Sequence, residues 1–199
     1  MFLSPHFYQA MCYAIMLWVS MLSATAALAM DGGRPDKETL ALLKQTIEEA
    51  DSFTNQYDAA VWLVDMSQRL SRYVKDEQER LHILKVVHRE ATRFKLHPEI
   101  VLAVIHVESL FNRFAVSRVG ARGIMQVMPF WKKEIGKETD NLMDLETNIR
   151  YGCTVLATYL KREKGVYHTA LARYNGSVGK TWYSERVMDR WKRYWYVQN

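Results

Sequence analysis

His97-Pro98-Glu99-Ile100-Val101-Leu102-Ala103-Val104-Ile105-His106-Val107-Glu108-Ser109 is the stretch on which the fold turns. Pro98 suits the first turn of a helix, where a missing N–H costs nothing. From Ile100 to Val107 only His106 interrupts the apolar residues. A helix apolar on nearly all faces belongs in the middle of a core, so the segment reads as a buried central helix. Glu108 stands at its inner end. A carboxyl group there loses hydration, which disfavours its charged form and fits it to donate a proton near neutral pH. The bland rival is a glutamate on an exposed last turn, or one paired with a cation such as Arg113.

Outward from this helix the pattern stays helical, and the alternation expected of strands is nearly absent. Glu38–Ala50 reads as one helix. Tyr57 to Tyr73 carries an apolar stripe at Ala60, Val61, Leu63, Val64 and Leu70, and Asp76 to Phe94 carries another at Leu81, Leu84, Val87, Ala91 and Phe94. Residues 111–122 read as loop, and Gly123 to Val127 as the start of a further element stopped by Pro129. Asn148 to Lys164 is amphipathic, with Ile149, Cys153, Leu156 and Leu160 on one face and Gly165 beyond its end. A short helix from Thr169 ends at Asn175-Gly176. The aromatic tail holds Trp191, Trp195 and Tyr196, read as packing residues.

The chain has 199 residues, 49% of them hydrophobic and 25% charged, with a formal net charge of +5. This is a globular composition, with no repeat and no low-complexity segment. The positive charge is diffuse, without the Lys/Arg run of a nucleic-acid arm, so nucleic acid is not an expected partner. Residues 1–30 contain no Asp, Glu, Lys or Arg. An apolar run from Met11 to Leu22 leads to Ala27-Leu28-Ala29, a small-x-small cleavage pattern. Residues 1–29 are therefore expected to be a signal peptide, with an uncleaved inner-membrane anchor as the rival because the flank lacks Lys and Arg. Cleavage would leave Cys153 alone, so no disulfide within the mature chain is expected.

Four fragments follow one another along the chain: Glu108-Ser109-Leu110-Phe111-Asn112, Ala115-Val116-Ser117, Gly120-Ala121-Arg122-Gly123-Ile124-Met125-Gln126-Val127-Met128-Pro129, and Ala170-Leu171-Ala172-Arg173-Tyr174-Asn175-Gly176. In order and spacing, over residues 91–187, this resembles the soluble lytic transglycosylases, lysozyme-like enzymes that cleave bacterial peptidoglycan. The resemblance implies an all-α, lysozyme-like catalytic domain over 91–199; the helical stripes before it read as an N-terminal extension over 30–90. It implies Glu108 as catalytic acid and base, and substrate-binding roles for Ser117, Met125, Gln126, Tyr174, Asn175 and Tyr183. Ile124 departs from the usual leucine, and Arg173 stands where the family has a small residue. Arg173 reads as an exposed helix-end cation, with contact to an anionic muramyl or peptide group as the rival.

The implied reaction breaks the MurNAc–GlcNAc β-1,4 bond without water and leaves a 1,6-anhydroMurNAc end. No metal or organic cofactor is needed. The implied partners are peptidoglycan glycan strands and an envelope or secretion complex, with the protein a monomer in the periplasm of a Gram-negative bacterium. Two rivals are a goose-type lysozyme-like hydrolase and a catalytically silent peptidoglycan-binding or envelope-assembly module. A zinc deaminase, suggested by His106-Val107-Glu108, fails because the second motif it needs, Pro-Cys-x-x-Cys, is absent.

Overall fold

The computed structural model describes residue 52 and residues 55–197. The expected signal peptide and the helix expected at Glu38–Ala50 lie outside the described residues. Seven α-helices are described: α1 (Gln56–Leu70), α2 (Glu77–Arg93), α3 (Pro98–Ser109), α4 (Trp131–Ile135), α5 (Leu145–Arg162), α6 (Tyr167–Asn175) and α7 (Trp182–Arg190). A π-helical turn, Trp191–Trp195, follows α7 directly. Among the described residues β structure is limited to two isolated antiparallel bridges, Val116 with Arg122 and Arg122 with Val127. The all-α expectation holds.

Each long helix other than α3 starts on a side-chain cap. Asn55 accepts the Asp58 N–H, Asp76 the Glu79 N–H and Asp144 the Thr147 N–H. Such caps satisfy amide donors that the first helical turn leaves unpaired. Helix α3 uses Pro98 instead, as its sequence indicates. Helix α5 begins three residues before the expected start, because Asp144 supplies the cap. Helix α6 likewise begins at Tyr167 rather than Thr169.

Helix α3 is the centre of the core. Ile100 is 1% exposed, and Val101 through Ile105 are 0% exposed. It packs against α2, α7 and the π turn, while α5 packs against α2 and α6. Leu63, Met66 and Leu70 of α1 and Leu81, Leu84 and Val87 of α2 belong to the same core cluster. Residues from the stretch read as an extension thus close one side of α3.

His106, the polar interruption in the apolar run, is also buried. It sits among Tyr73, Phe111, Tyr194 and Trp195, with ring centroids 4.6–6.1 Å away. Burial lowers its pKa to about 4, so the imidazole is neutral. Its Nδ1 accepts the Trp195 indole N–H at 3.2 Å, which fixes the other nitrogen as the protonated one. Trp195 is fully buried, as a packing role requires, whereas Tyr196 is 47% exposed.

Gly123 to Val127 departs from expectation. It is a tight turn rather than the start of a regular element, because Gly123 (φ 75°) and Gln126 (φ 50°) both adopt left-handed backbone geometry. Arg122 and Val127 close it by exchanging both main-chain hydrogen bonds at 2.9 Å. The next helix begins only at Trp131, after Pro129.

Truncating the α3 core should be far more damaging than truncating the outer face of α1. In urea denaturation Leu102→Ala is expected to lose about 2–5 kcal/mol. Val61→Ala, at a residue 71% exposed, should stay within about 0.5 kcal/mol of the unmodified chain. Equal losses would contradict a core centred on α3.

Candidate active site

Glu108 lies in the last turn of α3, which ends abruptly. Leu110 (φ 51°) and Phe111 (φ 66°) are both left-handed, a conformation that costs a non-glycine residue about 1–3 kcal/mol. The reversal carries Phe111 back into the aromatic box around His106, where it is 3% exposed. Phe111 thereby anchors the reversal, and the chain leaves the helix immediately after Glu108 and Ser109.

The Glu108 carboxyl is half-buried, and its pKa is raised to about 7. Burial is the larger cause; the Tyr183 hydrogen bond opposes it. Tyr183 Oη donates to Glu108 Oε1 at 2.5 Å, which favours the ionised form, but desolvation wins. Position at a helix C-terminus acts in the same direction as burial, since the helix dipole disfavours an anion there. No cation of the described residues lies within ion-pairing distance of Glu108, so pairing with Arg113 is excluded. Tyr183 itself is 1% exposed, and burial beside Glu108 keeps its phenol protonated.

The 123–127 turn forms the facing part of the site. Ser109 Oγ donates to Ile124 O at 2.7 Å, which ties the end of α3 to this turn. Tyr174, from α6, donates its phenol proton to Met125 O at 2.8 Å. Its own pKa is raised by burial and by the neighbouring Glu108. Gln126 Nε2 donates to Ala115 O at 3.1 Å and to Gly123 O at 2.9 Å. Five of the expected residues, Glu108, Met125, Gln126, Tyr174 and Tyr183, are thus joined by direct contact or through this turn.

The Met125 side chain, Ser117 and Asn175 are placed differently. Met125 is fully buried; its side chain rests on Gly152, where a β-carbon would fall 2.3 Å from its sulfur. Its link to the site runs through its backbone carbonyl. Ser117 organises its own loop, accepting the Ala121 N–H at 3.0 Å. Asn175 is exposed at the end of α6. Arg173 is not the free cation expected: it is half-buried and paired with Glu163.

Three carboxylates between the motifs are committed elsewhere. Asp140 accepts from the Tyr151 hydroxyl and the Lys137 N–H. Asp144 caps α5, and Glu146 pairs with Arg89. Nothing in the motifs points to Asn148, a buried amide behind the turn. The available signal was an asparagine next to Ile149 on the inward face of an amphipathic helix.

The Transglycosylase SLT domain model matches residues 85–194, and the chain belongs to that family. A protein named Transglycosylase from Enterobacteria phage PRD1 is 36% identical over 90 residues, covering 45% of this chain and 33% of that protein. Membrane-bound lytic murein transglycosylase C of Edwardsiella ictaluri is 34% identical over 118 residues, covering 48% of this chain and 31% of its own length. The matches therefore span about a third of each of these relatives. Among solved structures, an inactive mutant of the lytic transglycosylase Slt of Pseudomonas aeruginosa is 28% identical, with a TM-score of 0.46 over 71% of this chain and 23% of that one.

The raised pKa makes Glu108 a pH-dependent load on the fold. Folding favours its neutral form, so this contribution to stability is complete below the ordinary pKa of 4.5 and is lost as pH rises through about 7. Glu108→Gln should therefore stabilise the protein at pH 8, by on the order of 1–3 kcal/mol, and leave it nearly unchanged at pH 4. Paired denaturation curves at the two pH values test this; a gain independent of pH would mean the carboxyl is not desolvated.

Proposed function

We propose that this chain is a peptidoglycan lytic transglycosylase that uses Glu108 as its single acid and base. The observation that carries the reading is a half-buried carboxyl with a pKa raised to about 7, hydrogen-bonded by Tyr183 and with no ion pair among the described residues. Family membership supports the same activity. So do the names of the phage and Edwardsiella relatives.

In the proposed reaction neutral Glu108 gives its proton to the bridging oxygen as the bond from muramyl C1 to that oxygen breaks. The muramyl C6 hydroxyl then forms a new bond to C1, and its proton passes to the Glu108 carboxylate. The enzyme returns to its starting state, and the product carries a 1,6-anhydro bridge. Because the nucleophile belongs to the substrate, no second carboxylate is required, and much of the rate comes from holding C6–O near C1. The engagement of Asp140, Asp144 and Glu146 elsewhere is consistent with one carboxyl group in both roles.

Gln126 and Ser117 would orient the sugar, Asn175 would meet it from the end of α6, and Tyr174 and Tyr183 would hold the wall around Glu108. Met125 would act through its backbone. We assign residues 1–29 to a leader, 30–90 to a helical extension, and 91–199 to the catalytic domain. The setting is the periplasm, and the name of the membrane-bound Edwardsiella relative supports an envelope location. No described helix is long and apolar enough to cross a membrane.

Two outcomes test the assignment. Digestion of purified sacculi should release muropeptides one water lighter than hydrolytic products, and Glu108→Gln should release none; reducing-end muramic acid as sole product would point to a hydrolase instead. Turnover should fall about tenfold per pH unit above about pH 7 as Glu108 ionises. Tyr183→Phe, which removes the bond that lowers the Glu108 pKa, should move that fall to higher pH.

A further inference from the structure

Asn148 projects from the first turn of α5 and is 1% exposed. Its amide makes three hydrogen bonds, all to backbone. Oδ1 accepts the Met125 N–H at 2.8 Å, while Nδ2 donates to Arg122 O at 2.8 Å and to Leu142 O at 2.7 Å. It therefore grips the 123–127 turn at its entry and its centre and ties both to the segment leading into α5. Gly123 makes room for this: a β-carbon there would fall 2.3 Å from Nδ2 and 2.5 Å from Leu142 O.

The peptide plane between Ile124 and Met125 is held at both ends. Its N–H is bound by Asn148 and its C=O by Ser109 Oγ at 2.7 Å, and Ser109 is the residue after Glu108. One hydrogen-bonded path thus runs from α5 through a single peptide group to the end of α3. The next carbonyl, Met125 O, accepts from Tyr174, and the next residue is Gln126 in left-handed geometry. A strained residue of this kind persists only where its surroundings over-determine it.

We propose that Asn148 is a positioning residue of the site: acting through the Ile124–Met125 peptide, it sets how far Glu108 is shielded from water and the orientation of Gln126. The inference rests on the site assigned under the proposed function. Asn148 does not touch substrate. Without its amide the Met125 N–H has no partner, the turn relaxes, and water reaches the Glu108 carboxyl.

The test uses the full chain, with Asn148→Ala as the main variant and Asn148→Ser if alanine does not fold. Asp144→Ala is the control, because it removes a surface cap from the same helix. The Glu108 carboxyl titration is followed by NMR, and kcat and KM on sacculi are measured per folded molecule at low temperature. The Asn148 variants should lower kcat/KM by about tenfold to a hundredfold and move the Glu108 titration down toward that of an ordinary glutamate. Asp144→Ala should lower the melting temperature while leaving both readouts unchanged. An Asn148 variant that only melts earlier, with an unmoved titration and wild-type kcat/KM, would overturn the proposal. The titration needs no turnover, so an inactive wild type would sink the functional reading and leave the titration to decide this one.

Discussion

Burial of α3 is the constraint on which everything else depends. A run of six residues at 0–1% exposure can be satisfied only by elements on all sides, and α2, α7 and the π turn supply them. The helix is thereby fixed, and so is the carboxyl in its last turn. Desolvation follows from that placement, and it raises the Glu108 pKa to about 7. The core that stabilises the fold is thus also what gives Glu108 its acid–base character.

The hydrogen bond from Tyr183 works against this burial. It stabilises the carboxylate, as any donor to an ionised oxygen does, yet the raised pKa shows that desolvation is stronger. A group balanced near neutrality can both give and take a proton, which a one-carboxyl mechanism demands. Elements distant in sequence make the balance: α3 brings the carboxyl, α7 the phenol, α6 Tyr174, and the 123–127 turn the polar wall.

Three of the five left-handed non-glycine residues among the described residues lie in the same region, the other two being Lys95 and Lys164. Leu110, Phe111 and Gln126 are left-handed without being glycine. Each is held by packing or hydrogen bonding: Phe111 by the aromatic box around His106, Gln126 by its own amide and the bonds to its turn. Conformations that a short peptide would abandon are kept because the core leaves them no alternative.

Much of this was legible in the sequence, because helical periodicity and burial are local patterns. The central helix, the amphipathic α5 and the candidate acid at Glu108 follow from residue spacing alone, and the motif order identifies the family. Other features were not legible. Gly123 to Val127 reads as the start of a further element, and main-chain bonds across it, with Asn148 behind it, make it a turn. Arg173 looked like a free cation until the fold set Glu163 beside it. By itself the sequence determined the central helix, its amphipathic neighbours and the place of Glu108 at the end of α3, since those depend on neighbours along the chain. The tertiary structure alone decided what that carboxyl meets, because Tyr183 is 75 residues away and reaches Glu108 only once α7 has packed against α3.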